Sequence, residues 1–168
     1  MRALFFAILL AGSAENVSSQ AATSLWGHPR NDPIIGIIAQ VPSYGGMSVS
    51  PGGYLHGLLT NLHDSTKLRA ILTQIVSQPG WSRFQHAEPG YGIVIEKARY
   101  SYVQLTEWER KIENSAPALT GIGVDEQTNR LAIGVETVAA IEQTRKIIAR
   151  LGIPLDAVAI RQETVVQD

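Results

Sequence analysis

The sequence predicts an α+β protein in which helices cover one face of an antiparallel sheet. Three segments carry apolar residues at every third or fourth position, as amphipathic helices do. Other segments alternate apolar residues with small or polar ones, which is the period of a half-buried strand. In "TGIGVDEQTNRLAIGVET" two alternating stretches flank six polar residues, and this pattern predicts a β-hairpin.

The composition limits the classes of function. A chain of 168 residues suits one domain or two small ones that share a core, and 45% hydrophobic against 17% charged residues favours a folded chain. The formal net charge of -1 gives no electrostatic support for binding nucleic acid or an anionic membrane. Cysteine is absent, which excludes disulfides, a thiol nucleophile and cysteine-based metal sites.

The N-terminus has the pattern of a signal peptide. In "MRALFFAILLAGSA" one basic residue precedes an apolar run, and small residues follow it. The pattern predicts a signal peptide over 1–14, cleaved after Ala14 or as late as Ala21, and therefore export to the periplasm or the extracellular space. A buried N-terminal helix or strand is the alternative, since the run is short for a membrane span. We expect no membrane association after cleavage, and a flexible segment over 15–39.

Apolar periodicity predicts three helices, over 64–78, 101–114 and 138–152. Asp64 or Ser65 can cap the first, and Ser101 with Gln104 forms a capping box at the start of the second. Gly152 suits the residue that ends the third. The inward-facing residues are expected to be Leu68, Ile71, Leu72, Ile75 and Val76, then Leu105, Trp108 and Ile112, then Ile141, Ile148 and Leu151, with Ile147 at the margin.

Strands are predicted in "GYGIVIEKARYS", on both sides of the polar tip 125–130, and in "DAVAIRQETVV". From Gly90 the order is strand, helix, strand, strand, helix, strand, which predicts a ferredoxin-like βαββαβ unit over 90–162. The tip residues are of types that support turns. The small residues that alternate with larger apolar ones in the hairpin are Gly121, Gly123, Ala132 and Gly134. They leave one sheet face nearly bare, either open to solvent or able to admit another backbone closely.

An earlier stretch has the same plan of a hairpin followed by a helix. "GGMSVSPGGYLHGLLTNLHDSTKLRAIL" compares with "TGIGVDEQTNRLAIGVETVAAIEQTRKII", and Leu55 and Leu131 each follow the turn. The comparison predicts a hairpin–helix subdomain over 40–89 that is related to the unit over 90–162, with the strand after Gly90 serving both. The alternative is a chance likeness, because a hairpin followed by a helix is common.

The sequence predicts no catalytic, cofactor-binding or metal-binding residues, and hence no enzyme. No G-x-S-x-G elbow is present, and Asp125 and Glu126 are neighbours on a turn, where they would point apart rather than face each other across a cleft. The glycine-rich "PGYGIV" opens a strand rather than a helix, so it does not predict a phosphate site. No pair at helical metal-binding spacing occurs among the four histidines, which are His28, His56, His63 and His86.

Three stretches of the sequence carry a family resemblance. They are "QVPSYGGMSVSPGGYLHGLLTN", "IEKARYSYVQLTEWERKI" and "GIGVDEQTNRLAIGVET" with the following "LGIPLDAVAI". They resemble the N-terminal region of bacterial exported proteins whose C-terminal half is a trypsin-like serine protease domain. The resemblance covers 40–162, and the arrangement is more loosely similar to the pro-regions of alpha-lytic-type proteases, which act as foldases and inhibitors. The sequence, up to Asp168, holds neither a "TAAHC"-like stretch nor "GDSGG", so peptidase activity has no residues here to carry it.

The resemblance implies a non-catalytic domain that binds, assists the folding of, or inhibits a trypsin-like serine protease, in cis or in trans. Strand addition at a sheet edge, followed by a tail in the active-site cleft, is the expected contact. It involves the last strand and the tail 163–168, so the expected partner-binding residues are Ala157, Val158, Ala159, Ile160, Arg161, Gln162, Glu163, Thr164, Val165 and Val166.

Other interpretations of the sequence stay open. The last strand can instead be an internal strand or an edge that faces solvent without a partner. The whole chain can be a standalone exported binding or scaffold domain with an unknown ligand. A small enzyme is a third class, and a deep pocket that gathers His56, His63 and a carboxylate would favour it.

Overall fold

A computed structural model of the chain describes residues 33–50, 53–77, 92–116 and 119–163. These residues form two units with one shared plan, a hairpin followed by a helix and a third strand. The first unit opens with helix α1 (Pro33–Gln40) and contains β1 (Tyr44–Val49), β2 (Leu55–Leu59), α2 (Ser65–Val76) and β3 (Ile93–Lys97). Between the units lies α3 (Tyr102–Glu113), and the second unit contains β4 (Leu119–Asp125), β5 (Arg130–Val135), α4 (Val138–Arg150) and β6 (Val158–Gln162).

Each unit has its own three-stranded sheet, in the orders β1-β2-β3 and β4-β5-β6. The two hairpin strands pair antiparallel, and the third strand pairs parallel with the second strand of the hairpin. The registers correspond, because Leu55 lies opposite Ile93 and Leu131 lies opposite Val158. The α+β class is therefore confirmed, and the two sheets share one plan of strand pairing. Both sheets are mixed rather than purely antiparallel.

The strand pairing differs from the ferredoxin-like sheet predicted for 90–162. The predicted order of elements is present, but its first strand, β3, pairs with β2 of the first unit. In the second sheet β5 pairs directly with β6. The physical reason is that α2 and α4 each pack on their own hairpin, so the chain that leaves each helix returns beside that hairpin. The first unit therefore extends to Lys97, past the boundary predicted at 89.

Helix α1 corrects the flexible segment predicted over 15–39. Residues Pro33–Gln40 are helical, and Ile34 and Ile37 are buried in the first core. Their spacing of three places both side chains on one helix face, and burial of that face stabilises the short helix. The predicted signal peptide over 1–14 and the remaining residues up to 32 lie outside the described residues.

Local signals place α3 and α4 close to where they are predicted. The Ser101 Oγ accepts a hydrogen bond from the Gln104 amide at 3.2 Å, so Ser101 caps α3 as expected, but among the described residues the Gln104 side chain makes no return bond to the Ser101 amide, and the capping box is only half formed. The Thr137 Oγ1 accepts one from the Ala140 amide at 3.1 Å and caps α4, which the sequence reasoning does not predict. After α4, Gly152 adopts a φ of 69°, the left-handed conformation that ends many helices.

Helix α2 begins without the side-chain cap predicted for it. A short 3-10 helix, Leu62–Asp64, precedes α2, and Asp64 makes no capping hydrogen bond. Its carboxylate instead accepts a hydrogen bond from the Ser43 hydroxyl, which lies ahead of β1. Asp64 therefore ties the start of the helix to the loop that enters the sheet. The predicted inward face is confirmed for its buried residues Leu68, Leu72 and Ile75.

Two clusters of buried side chains form the interior, and each belongs mainly to one unit. The first contains Ile34, Ile37, Val41, Tyr44, Leu55, Leu59, Leu68, Leu72, Ile75, Ile93 and Tyr102. The second contains Leu105, Ile112, Ala116, Ile122, Leu131, Ile133, Val135, Ile148, Ile153, Ala157 and Val158. Helix α3 contributes Tyr102 to the first cluster and Leu105 to the second, and Val124 packs against both. The helix and the β4–β5 hairpin therefore connect the two cores.

Gly57 marks a close approach between α2 and the first sheet. A Cβ added there would lie 2.8 Å from Leu72 Cδ1, 3.0 Å from Leu68 Cδ2 and 3.1 Å from Ile95 Cδ1. We expect Gly57→Ala to lower the free energy of unfolding by about 1–3 kcal/mol, measured by urea denaturation, because the added methyl group overpacks this contact. Gly36→Ala is the control: Gly36 lies in α1, and apart from its own helix backbone no described atom lies within 4 Å of an added Cβ, so this change should stabilise by about 0.5–1 kcal/mol. A Gly57→Ala protein as stable as the wild type would contradict the close packing.

Candidate functional site

Local hydrogen bonds build the polar tip between β4 and β5. The Asp125 carboxylate accepts hydrogen bonds from the backbone amides of Gln127 at 3.1 Å and Thr128 at 3.2 Å, and from the Thr128 hydroxyl at 2.7 Å. Such bonds from an Asp side chain stabilise tight turns. The turn ends at Asn129, whose φ of 54° lies in the left-handed region that asparagine tolerates. The predicted turn-forming role of the tip is confirmed.

Asn129 also joins the tip to the chain that enters α3. Its side chain is almost fully buried. The Oδ1 atom accepts hydrogen bonds from the amides of Arg99 and Tyr100, both at 2.9 Å. The Nδ2 atom donates to the carbonyl oxygens of Gly45 at 2.8 Å and Tyr100 at 2.9 Å. One side-chain amide therefore satisfies four backbone groups, two donors and two acceptors, at a point where both units meet.

Glu126 holds the tip against β1. Its Oε2 atom accepts hydrogen bonds from the Met47 amide at 2.6 Å and from the Tyr44 hydroxyl at 3.0 Å. Gly46 beside it has a φ of 135°, and a Cβ there would lie 3.0 Å from the Glu126 Cβ. The β1–β2 register is irregular between Tyr44 and Gly46. A glycine at this irregularity leaves the space that the glutamate occupies.

The motifs behind the protease-associated resemblance meet in this arrangement, which we call the tip contact: Gly45, Gly46, residues 98–100, Glu126 and Asn129. "PSYGG" supplies the glycines, "ARYS" the backbone groups bound by Asn129, and "DEQTNRL" the tip itself. A Cβ on Gly45 would collide with the buried Ala98 side chain. The joining of the two units thus accounts for these residues structurally.

A second polar cluster ties the same segment to the turn before β6. The Tyr100 hydroxyl donates to Asp156 Oδ1 at 3.0 Å, and Arg99 pairs with Asp156 Oδ2. Burial and the neighbouring Asp156 carboxylate raise the pKa of Tyr100, so its hydroxyl keeps its proton and remains a donor. The Tyr100 ring packs edge-on against Trp108 at a centroid distance of 5.1 Å. The start of the last strand is therefore fixed to the connection between the units.

Strand β6 is an edge strand within the described part of the chain, where β5 is its one neighbouring strand. Exposure increases along it. Val158 is buried and packs in the second core, and Ala159 and Ile160 are half-buried. The exposed residues at its C-terminal end are Arg161, Gln162 and Glu163. The expected partner-binding strand therefore reaches the surface at its C-terminal end.

The ends of the expected partner-binding set differ from its middle. Ala157 precedes β6 in a 3-10 helix, Leu155–Ala157, and its side chain is fully buried in the second core. Ala157 therefore supports the strand from inside rather than offering a contact surface. Thr164, Val165 and Val166 lie outside the described residues.

The backbone of β6 alternates between groups that bind β5 and groups that point away from it. The Glu163 amide donates to the Val135 carbonyl at 2.8 Å, and this bond sets the phase of the parallel ladder. Because the backbone groups of successive residues in a strand point to alternate sides, the amides and carbonyls of Ile160 and Gln162 point away from β5. The carbonyl of Val158 also points outward, whereas its amide bonds to the Leu155 carbonyl. The outer edge thus offers both donors and acceptors to another strand.

Side-chain bonds hold the exposed end of β6 in place. The Gln162 Nε2 atom donates to the Glu136 carbonyl at 3.0 Å, and the Thr120 hydroxyl donates to Glu163 Oε2 at 3.1 Å. Glu163, the first residue of the expected tail, therefore remains part of the sheet edge through its amide and its carboxylate. A truncation that tests the tail must begin at Thr164.

The histidines are distributed without forming a metal site in the described ranges. His56 Nδ1 lies 3.1 Å from Glu96 Oε2, where β2 and β3 are neighbours. His63 lies in the turn before α2, and its amide bonds to Asn61 Oδ1. Among the described residues, no three His, Cys, Asp or Glu side chains gather to hold a metal ion. His28 and His86 lie outside these ranges.

Glu109 in α3 is a buried carboxyl group. It is 1% exposed, and neither carboxyl oxygen has a hydrogen-bond partner in the described part of the chain. Burial, and secondarily the negative charge of Glu113, raise the pKa of Glu109 from its ordinary value of 4.5 to about 7. Leu105 and Ile112 share its buried helix face. The helix between the two units therefore contains a group that changes its charge near neutral pH.

Three residues have roles that the sequence reasoning misses. Asn129 stands at the end of a turn, and the tolerance of asparagine for positive φ is a signal that points to it. Glu109 lies four positions after Leu105, so helical periodicity alone places it on the apolar face. Glu126 has no local signal, because its partners lie far away in the sequence, on β1.

Compared with models of known protein families, the chain matches none, and a search among curated proteins finds no match. None of the helices in the described ranges combines the length and the apolar character needed to cross a membrane.

Proposed function

We propose that the chain is an exported, non-catalytic, pro-region-like domain that binds a trypsin-like serine protease and assists its folding or inhibits it. The single observation that carries this proposal is the outer edge of β6. Its C-terminal half is exposed, and the backbone groups of Ile160 and Gln162 point away from the sheet. Such an edge accepts an extended segment of a partner through main-chain hydrogen bonds.

The chemistry of the proposed partner suits this mode of binding. A trypsin-like protease consists of β-barrels, which are rich in contacts between distant parts of the chain and therefore fold slowly. A preformed strand such as β6 can pair with a strand of the folding barrel and lower the entropy cost of ordering it. The same contact with the folded protease places the residues after Glu163 close to the partner, where they can obstruct its cleft.

The support for a protease as the partner comes from the sequence resemblance. Its motifs coincide with the tip contact, which sets the second unit, and with it the β6 edge, relative to the first. A family that shares these motifs would share the two-unit arrangement that presents the edge. The signal-peptide pattern supports export, the compartment in which such proteases act.

The first experiment measures binding of the full chain to a trypsin-like protease, taken either from a neighbouring reading frame or from a fusion with a close relative. Calorimetry with the active-site-blocked protease gives the affinity, and turnover of a peptide substrate gives the inhibition. Refolding of the denatured protease with and without the chain tests assistance of folding. Tight binding with slowed turnover or a faster return of activity supports the proposal. If the chain binds neither the folded nor the refolding protease, the proposal is wrong and another exported partner must be sought.

Gln162→Pro tests whether the backbone of β6 makes the contact. Proline removes the outward amide of Gln162 without removing a donor to β5, since the phase of the ladder places the Arg161 and Glu163 amides on the β5 side. We expect Gln162→Pro to weaken protease binding about tenfold, as for the loss of one well-formed hydrogen bond. Gln162→Ala is the matched control, because it also loses the side-chain bond to Glu136 but keeps the amide. Equal affinities of the two variants would contradict strand addition at this position.

A further inference from the structure

An arginine distinguishes the β3 edge of the first sheet from the β6 edge of the second. Arg69 of α2 donates from Nη1 to the carbonyl oxygen of Ile93, the first residue of β3, at 2.6 Å. The hydrogen bond to β2 at this point comes from the preceding residue, because the Gly92 carbonyl accepts from the Leu55 amide at 2.6 Å. The Ile93 carbonyl therefore points away from β2. Arg69 occupies an acceptor that an added strand at the β3 edge would need.

Arg145 of α4 stands at the equivalent position of the second unit. Arg69 lies three positions before the buried Leu72 in α2, and Arg145 lies three positions before the buried Ile148 in α4. The hairpins align in the same way. A leucine of the first hairpin lies opposite the first residue of β3, and the equivalent leucine of the second hairpin lies opposite the first residue of β6. The plan of the units therefore predicts an arginine that reaches the β6 edge.

Arg145 does not reach that edge, because a carboxylate on its own helix binds it. Arg145 Nη1 lies 2.6 Å from Glu142 Oε1. In the first unit the residue three positions before Arg69 is Thr66, which offers no carboxylate. The carbonyl of Val158, the counterpart of the Ile93 carbonyl, receives no side-chain hydrogen bond from any described residue. A charged carboxylate is a stronger acceptor for a guanidinium group than a neutral carbonyl.

We infer that the Glu142–Arg145 pair keeps the β6 edge open to an incoming strand, and that Arg69 closes the β3 edge. Glu142 is then a positioning residue for partner binding, since it decides where the guanidinium group of Arg145 bonds. By analogy with the first unit, where Arg69 bonds to the Ile93 carbonyl, removing Glu142 frees Arg145 to bond to the Val158 carbonyl. The effect of Glu142 on partner binding rests on the proposed function of the β6 edge. The hydrogen bond from Arg145 to the Val158 carbonyl, expected when Glu142 is removed, can be measured without a partner.

Backbone carbonyl chemical shifts of the isotope-labelled full chain test the hydrogen bond directly. In Glu142→Ala we expect the Val158 carbonyl signal to move downfield, because Arg145 now donates to it. In the double variant Glu142→Ala/Arg145→Met the signal should return to its wild-type position. Arg69→Met calibrates the measurement, since the Ile93 carbonyl loses its donor and its signal should move upfield. A Val158 signal at the same position in the single and double variants would overturn the inference.

Affinity for the protease tests the consequence for binding. We expect Glu142→Ala to bind about tenfold more weakly than the wild type and the double variant to regain wild-type affinity, as for one hydrogen bond lost and restored. Unchanged affinity of Glu142→Ala, in a protein whose Val158 signal has moved, would overturn the control of binding by Arg145. If the signals behave as expected but the wild type does not bind the protease, the proposed function fails and the arginine arrangement stands.

Discussion

Replacing Asn129 with alanine is expected to lower the free energy of unfolding by about 3–5 kcal/mol, among the largest effects of any single substitution in the described chain. The side-chain amide makes four hydrogen bonds to the backbone at a nearly buried point. Its loss leaves two amides and two carbonyls there without a partner. Alanine adds strain, because the φ of 54° is unfavourable for a residue with a Cβ that cannot bond locally. Chemical denaturation followed by tryptophan fluorescence measures the change.

Two further variants separate the causes of this loss. Asn129→Gly relieves the backbone strain but also loses the four hydrogen bonds, so we expect it to remain at least about 2 kcal/mol less stable than the wild type. Thr128→Ala removes only the hydroxyl bond to Asp125 within the exposed turn and should cost less than about 1 kcal/mol. If Asn129→Gly is as stable as the wild type, the side-chain bonds do not hold the units together.

Features that depend on neighbouring residues follow from the sequence. The three amphipathic helices, the Ser101 cap, the left-handed Gly152 and the turn at Asp125 all form where local chemistry predicts them. Each depends on residues within one or two turns of the chain, so its signal lies within a short window. The likeness between the two hairpins also extends over enough residues to reveal the repeated plan.

Features that depend on distant residues could not be predicted in the same way. Strand propensity identifies β3 but does not say which sheet it joins, and its pairing with β2 is decided by the packing of α2. Asn129 has the composition of a turn residue, while its second role depends on Gly45, which lies on the other unit. Burial of α1 likewise depends on a core that other elements supply.

The candidate site also combines features that follow from neighbouring residues with features that depend on distant ones. Alternation in the last strand predicts that Val158 and Ile160 lie on one face, and in the structure Val158 belongs to the second cluster and Ile160 packs against it. That the strand lies at an edge follows only from the sheet order. The different bonding of Arg69 and Arg145 appears only when the two units are compared in three dimensions, although the Glu142 responsible for it is visible in the sequence.

Stability of the protein is expected to depend on pH through Glu109. Its pKa is raised from 4.5 to about 7, so between these values the folded protein holds a proton that the unfolded chain has lost. The free energy of unfolding therefore decreases as the pH rises through this range, by about 3 kcal/mol in total, and stays lower above it. This direction is opposite to that of a carboxylate held by a cationic partner.

Glu109→Met removes this dependence and should stabilise the protein at alkaline pH. At pH 8 we expect the variant to exceed the wild type by about 3 kcal/mol, because the wild type then buries an ionised carboxylate that lacks a described hydrogen-bond partner. Near pH 4 the two proteins should differ by less than about 1 kcal/mol, since the wild-type carboxyl group is then protonated in both states. Glu107→Gln removes an exposed acidic residue of the same helix that takes no part in raising the pKa of Glu109, and this control should change stability by less than about 0.5 kcal/mol. The measurement is the difference in unfolding free energy across this pH range, and a difference that does not change with pH would show that the pKa of Glu109 is the same in the folded and unfolded protein.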